Sequence, residues 1–415
     1  MLRVEMLCTG DEVLHGQIVD TNAAWLADYL FHQGLPMASR MTVGDDLEAL
    51  VSALTQRSQI ADVLIVNGGL GPTSDDLSAL AAATAAGEGL VEHEEWLERM
   101  EAFFAERGRV MSPNNRKQAQ LPASAEMIDN PVGTACGFAL RLNKCLMFFT
   151  PGVPSEFKVM VDRQIMPRLR ERFTISPPPL CLRLTTFGRS ESDLASQLDG
   201  VALPSGVVLG YRSSVPVIEL KLTGPAAQRA AMEQRWEQVR AVAGENTLFE
   251  GTEGLPAQLA RRLAERDLQL AVSEDFTAGL LNWQLRSANV PLSGGELLVN
   301  TEPRTLGRLA DDARQLAARH QAALALMVGA RPDDRLAIAL HTPQGDFALA
   351  IQFNVARYSL QTHQEVVAML AMNMLRRWLN GWPVCRGHGW INVLETLDMP
   401  ANGRGHDGAS AIPAK

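Results

Sequence analysis

Residues 63–76 read VLIVNGGLGPTSDD, and this stretch decides the fold. Val63–Asn67 reads as an apolar strand buried on both faces, as in a parallel sheet. It runs straight into Gly68-Gly69-Leu70-Gly71, then Pro72-Thr73, then a helical pattern. Glycines here permit positive φ and close backbone approach, while the helix start supplies free N–H groups and the positive end of its dipole. Together they predict an anion cradle at the carboxyl edge of the sheet, with Gly68, Gly69, Gly71 and Thr73 toward phosphate. Asp75 and Asp76 stand beside it. Two carboxylates repel a phosphate, and a bound divalent cation reverses that sign, polarises a phosphoryl oxygen and helps activate water. Adjacent helical residues diverge by about 100°, so one Asp is expected to ligate the metal while the other caps the helix or orients water. The alternative is ordinary turn chemistry, with Asp75 as an N-cap.

Around this stretch, strands are expected at Arg3–Cys8 and Pro36–Val43, and helices at Asp20–Gln33, Asp46–Arg57 and Asp75–Ala86. The β-α-β-α-β-α order predicts a three-layer α/β/α domain with a largely parallel sheet. A helix at Trp96–Arg107, strands at Gly137–Leu142 and Cys145–Phe149, and a long helix at Glu156–Arg172 complete it. The loop after the first strand carries Thr9, Gly10, Asp11 and Glu12, with Asp20 and Asn22 behind, a set suited to a ribose, an amide or a metal-bound water. Turn and cap chemistry accounts for Gly10 and Asp20 equally well. The loop at Asn130–Gly137 brings Gly133 and Thr134. At PGVPSE, Glu156 is either a metal ligand or base, or a charge favoured by the helix dipole. Lys117 and Arg116 are candidate phosphate contacts, and His15 reads as loop packing.

The chain has 415 residues, 46% hydrophobic and 20% charged. At roughly 100–200 residues per domain this means two to four domains. The formal charge of −9 argues against nucleic acid or an anionic membrane as the main partner. With no apolar run of about 18 residues and no signal-like start, a cytoplasmic protein is expected. Five cysteines without a CxxC or Cys/His cluster read as reduced core thiols. The expected boundaries are 1–175 for the first domain, 180–245 for a small α+β middle domain after the Pro177-Pro178-Pro179 linker, and 252–382 for a C-terminal α/β domain. A mobile tail is expected over 400–415.

Four motifs in order, Thr9–Asn22 (TGDEVLHGQIVDTN), Asn67–Ser78 (NGGLGPTSDDLS), Asn130–Phe138 (NPVGTACGF) and Pro151–Phe157 (PGVPSEF), resemble the CinA family of competence/damage-inducible proteins. Its N-terminal part is similar to the domain shared with molybdenum-cofactor biosynthesis proteins. One departure is Ser78, where the family usually has Thr, with the hydroxyl kept. The resemblance implies pyridine-nucleotide recycling: an N-terminal ADP-ribose pyrophosphatase that needs a divalent metal (Mg, Mn or Co, with K as a further possibility) and releases AMP and ribose 5-phosphate. It also implies a homodimer, and a C-terminal amidase that removes the amide of nicotinamide mononucleotide with a Ser nucleophile. Two other readings stay open: a module that binds a nucleotide or pterin phosphate without turnover, and residual deamidase activity.

The C-terminal resemblance fails where chemistry needs it. The family's A-E-S-C-T-G-G falls on Ser273–Gly279, so the nucleophilic Ser becomes Asp275 and the first Gly becomes Ala278. In the stretch from Gly294 to Arg304 the family's Tyr becomes Val299 and its Lys becomes Arg304. An Arg stays protonated and cannot act where a Lys must release a proton. The family's T-G-I-A-G-P loop has no counterpart around Leu340-His341-Thr342-Pro343. Asp275 is expected to cap a helix over Phe276–Leu285, and the deamidase site is expected to be lost.

Overall fold

The computed structural model describes residues 2–299, 302–331, 335–353, 358–389 and 391–401. The chain divides into two compact units, Met1–Pro179 and Leu180–Lys415.

In the first unit β1 (Val4–Thr9), α1 (Asp11–Leu14), α2 (Thr21–His32), β2 (Met37–Val43), α3 (Leu47–Ile60), β3 (Val63–Asn67) and α4 (Ser78–Ala86) follow in order. A two-stranded ribbon of β4 (Leu90–Glu92) and β5 (Gln120–Pro122) encloses α5 (Glu94–Ala105) in sequence; β6 (Glu126–Ile128), β7 (Gly137–Leu142), β8 (Cys145–Thr150), α6 (Pro154–Met160) and α7 (Met166–Arg172) follow. The sheet order is β2-β1-β3-β8-β7-β6. Its first four strands are parallel, and β7 and β6 add antiparallel pairs. β1, β3 and β8 are buried throughout, and the two-residue period sorts them between faces. Leu7, Leu64 and Val66 pack with Leu54 of α3 and Ala81 of α4. Met6, Ile65 and Phe148 pack with Leu26 of α2 and Phe157 of α6.

Two expectations need correcting here. α4 begins at Ser78, with Leu77 in the cap position, so Asp75 and Asp76 lie in the turn before it and neither caps it. The reason is local: Asp76 turns back to accept from the Thr73 N–H at 2.8 Å, which closes a turn ahead of the helix. The helix expected at Glu156–Arg172 is broken by a wide turn of π type at Val161–Ile165, just ahead of Pro167, whose missing N–H cannot continue a regular ladder.

The second unit opens with β9 (Leu180–Phe187), α8 (Glu191–Leu198), β10 (Val208–Ser214), β11 (Val217–Gly224), α9 (Arg229–Ala243) and β12 (Thr247–Glu250). The strands form an antiparallel sheet, β10-β11-β9-β12, and α8 and α9 cover one face through Leu194, Met232 and Trp236. Then come α10 (Leu255–Ala264), β13 (Leu270–Glu274), α11 (Leu280–Ser287), β14 (Leu292–Leu297), α12 (Leu306–Arg319), β15 (Leu324–Val328), β16 (Arg335–Thr342), β17 (Gly345–Phe353), α13 (Leu360–Leu379) and β18 (Ile391–Pro400). The second sheet runs β14-β13-β15-β16-β17-β18, parallel across its first three strands and antiparallel after. α13 buries Val366, Leu370 and Met374 on one face, and α12 buries Leu309, Ala313 and Leu316 on the other.

Asp275 does not cap α11, which starts five residues later at Leu280. The neighbouring Glu274, wholly buried, does so instead. Its carboxylate accepts from the Leu281 N–H at 3.1 Å, the Asn282 N–H at 2.9 Å and the Thr277 hydroxyl at 2.5 Å. Leu340–Pro343 lies at the hairpin joining β16 to β17, where the Thr342 hydroxyl donates to the Gly345 carbonyl at 2.9 Å. β16 is antiparallel to β15, so this hairpin sits at the sheet edge opposite Asp275. The loop that shares the Asp275 edge is Gly329–Arg331, reached by Asp275 N–H to Val328 O at 3.0 Å. Of the expected tail, Pro400 ends β18 and Ala401 donates to Gln344 O at 2.9 Å; residues 402–415, like Asn300 and Thr301, lie outside the described residues.

Candidate functional site

The loops leaving β1, β3 and β8 at their carboxyl ends surround a cleft of 570 Å³. The β3 loop is held shut from below. Gly68 N–H donates to Thr150 O at 2.9 Å, and the Ser78 hydroxyl donates to Gly68 O at 2.8 Å. Gly68 has φ 107°, and a Cβ there would stand 2.7 Å from Thr9 O, so any side chain would part the first and third loops. Asp76 accepts from both the backbone N–H and the hydroxyl of Thr73. Asp75 is fully exposed, and its carboxyl is held below the usual carboxylate range, first by the Thr73 hydroxyl, then by its own backbone, with Lys117 adding attraction. A hydroxyl carries one proton, so Thr73 serves one of the two carboxylates at a time.

The cleft takes in Thr9, Gly10, Glu12, Asp20, Asn22, Gly68, Gly69, Gly71, Thr73, Asp75, Asp76, Thr134 and Glu156 from the expected set. Four expected residues stand outside its lining, one of them Arg116, which pairs with Glu92 at 2.6 Å. Asp11 accepts from the Asp45 N–H at 3.2 Å while its own N–H donates to Asp45 at 3.0 Å, a reciprocal clamp between two loops. Lys117 donates to Thr73 O and braces the glycine loop from behind. Gly133 makes room for a neighbour: a Cβ there would meet the Glu156 carboxylate at 2.2 Å. Within the lining, Asp20 caps α2 through the Ala23 N–H at 2.8 Å. Glu156 accepts from the Asn130 amide at 2.7 Å. The buried Asn22 amide donates to Asn67 Oδ1 at 3.0 Å and to Gly152 O at 2.8 Å, tying the first loop to the strand ends.

Asp45, Asn67 and Gln118 also line the cleft and were missed. Asn67 had a signal, a polar residue ending an otherwise apolar strand. Asp45 follows β2 as Asp11 follows β1, and accepts the Thr9 hydroxyl at 3.0 Å. Gln118 sits on a single 3₁₀ stretch, Pro113–Ala119, with no periodicity to mark it.

Six carboxylates line this cleft, Glu12, Asp20, Asp45, Asp75, Asp76 and Glu156, and among the described residues no Lys, Arg or His does. Among the described residues no group of three or more His, Cys, Asp or Glu forms a cage for a metal. A magnesium-type ion needs none, since it takes one or two carboxylates and fills its remaining positions with water and phosphate oxygens. Exposed Asp75 and the second oxygen of Asp76 fit that donor set.

A mixed α/β domain with a parallel-rich sheet and polar loops at its carboxyl edge is thus the class of protein to which the first unit belongs. Residues 5–171 match the family described as "Probable molybdopterin binding domain". A CinA-like protein of Escherichia coli (strain 55989 / EAEC) is 64% identical over 399 residues, 96% of this chain and 100% of the relative. The same figures hold for the NMN amidohydrolase-like protein YfaY of Escherichia coli (strain K12). The crystal structure of CinA from Thermoplasma acidophilum, a protein of unknown function, is 30% identical, covers 40% of this chain and 96% of that one, and has a TM-score of 0.37. The chain belongs to the CinA-like protein family. No helix among the described residues is long and apolar enough to cross a membrane.

Proposed function

We propose that the first unit hydrolyses the pyrophosphate of ADP-ribose or a related dinucleotide with the help of a divalent cation. The observation that carries this reading is the charge of the cleft, with six carboxylates and, among the described residues, no basic side chain around glycine-loop donors. A phosphate entering it needs a compensating cation. Asp75 and Asp76 would hold that ion, which when bound neutralises phosphate charge and polarises a phosphoryl oxygen. The N–H groups of the β3 loop orient the phosphates. Glu156, with one oxygen held by Asn130, keeps the other to accept a proton from the attacking water. Water adds to one phosphorus, the bridging P–O bond breaks, and AMP and ribose 5-phosphate leave.

The test is phosphatase-coupled turnover of ADP-ribose with Mg²⁺, Mn²⁺ or Co²⁺, with and without K⁺. Asp76→Ala should reduce the rate by about 100-fold or more, the scale of a lost charge-stabilising group. Equal, negligible rates for both proteins reject hydrolysis. ADP-ribose binding that survives loss of both Asp carboxylates and needs no metal supports a non-catalytic nucleotide-binding module.

For the second unit the name of the YfaY relative raises amide hydrolysis. Asp275 stands at the nucleophile position without a hydroxyl, and Arg304 Nε is engaged by Asp312 at 3.3 Å. Ammonia release from nicotinamide mononucleotide is therefore expected to stay at background.

A further inference from the structure

The second unit holds a separate cavity of 420 Å³ between its four-stranded sheet and helices α10, α11 and α13. One wall is a row of side chains in register across the four strands: Arg212, Glu219, Thr185 and Phe249. The facing wall is α11, which presents Trp283 and Gln284, and Leu255 and Pro256 of α10 with Met369 and Met372 of α13 add apolar surface. The size suits a small ligand of one or two rings with a sugar.

Two atoms set the chemistry. Glu219 is 7% exposed, and its Oε2 is met by Arg212 Nε at 3.0 Å as an ion pair outside hydrogen-bond alignment. Gln284 Oε1 is buried without a donor. Buried acceptors of this second kind are rare in folded proteins and need a reason. Gln284 Oε1 points to a ligand that donates N–H. Glu219 already has a charge partner, Arg212 Nε at 3.0 Å, and Glu253 pairs with Arg261 at 3.0 Å, so no net charge is left for a cationic ligand to answer. Trp283 leaves 66% of its surface exposed, a flat face at the mouth on which a ring can stack.

We infer that this cavity is a second ligand site, which takes a neutral, planar heteroaromatic ring bearing an exocyclic amino group, in the manner of an aminated nucleobase or its nucleoside. The amino group donates to Gln284 Oε1 while the ring lies on Trp283. Nothing in this inference rests on the hydrolase reading of the first unit.

Adenosine and inosine are the probes, since inosine carries a carbonyl in place of the amino group. The full chain labelled with 5-fluorotryptophan is titrated by ¹⁹F NMR, with the Trp283 signal assigned through Trp283→Phe. Adenosine should shift that signal saturably, and inosine should bind at least about fivefold more weakly, the worth of one neutral hydrogen bond. Gln284→Met, of the same length but without the acceptor, should lower adenosine affinity by a similar factor at an unchanged melting temperature. That arm also separates binding here from binding in the N-terminal cleft. Should Gln284→Met melt early, calorimetry on Trp283→Ala, a substitution at an exposed position, must show the same weakening. No shift at millimolar adenosine, equal affinity for the two nucleosides, or affinity indifferent to both variants overturns the inference.

Discussion

Thr73 shows how much one residue organises. Its N–H and hydroxyl bind Asp76, and its carbonyl receives Lys117. The turn it forms presents Asp75 to solvent rather than to the helix. A different economy appears at Ala278, which has φ 51°. The left-handed region costs a residue with a Cβ about 1–2 kcal/mol, whereas glycine enters it freely but loses more freedom on folding. Ala278→Gly should therefore stabilise the protein, by about 0.5–1 kcal/mol net, read as a raised denaturant midpoint at unchanged slope. A lowered midpoint would mean that the Cβ has packing partners worth more than the strain.

The elements were largely legible. Continuous apolar runs identify β3, β8 and β15, because a strand covered on both faces has no polar side to show. Helix starts were less so, and the reason is the same at both sites. An acidic residue beside a helix was assigned to the cap from sequence proximity, but Asp76 closes its own turn and Glu274, not Asp275, reaches the first N–H groups of α11. Which carboxylate reaches depends on where the strand stops, and that is decided by pairing with β15. Glu274→Ala removes three hydrogen bonds to a buried carboxylate and opens a cavity. It should cost about 3 kcal/mol or more, measured by chemical denaturation. β18 was invisible in advance, since its residues mix exposed acids with apolar ones and its place is fixed by the free edge of β17.

At the scale of the molecule, the Leu180–Lys415 unit is fastened by buried polar contacts between its small sheet and α13. Arg376 donates to Thr247 O at 2.6 Å and to Glu245 O at 2.7 Å, while Arg377 and Arg386 meet the Glu245 carboxylate. His388 sits in the same seam. Its Nε2 lies 3.3 Å from the Asn373 amide, its ring meets Phe187, and a Cβ on Gly188 would touch it at 2.2 Å. Burial first, then Arg377, Arg386 and Arg376, pushes its pKa from 6.5 down to about 4. The unfolded chain takes up the proton first as pH falls. Stability from the neutral imidazole is therefore complete above pH 6.5 and is lost on descending to about pH 4, by about 1.4 kcal/mol per unit and about 3 kcal/mol in all. His388→Gln should flatten the denaturation midpoint across that window; an unchanged slope would remove His388 as its source.

The linear chain determined the layers and the loops. Apolar period, glycine position and proline punctuation are local properties that act before any long-range contact forms, so the parallel-rich sheet and the polar loops at its edge could be read directly. Only the tertiary structure decided which carboxylates face the cleft, which close turns, and which cap helices, and only it brought Asp45, Asn67 and Gln118 to the same rim. A side chain's partner lies tens of residues away, and its direction follows from strand register and packing, which no local pattern encodes.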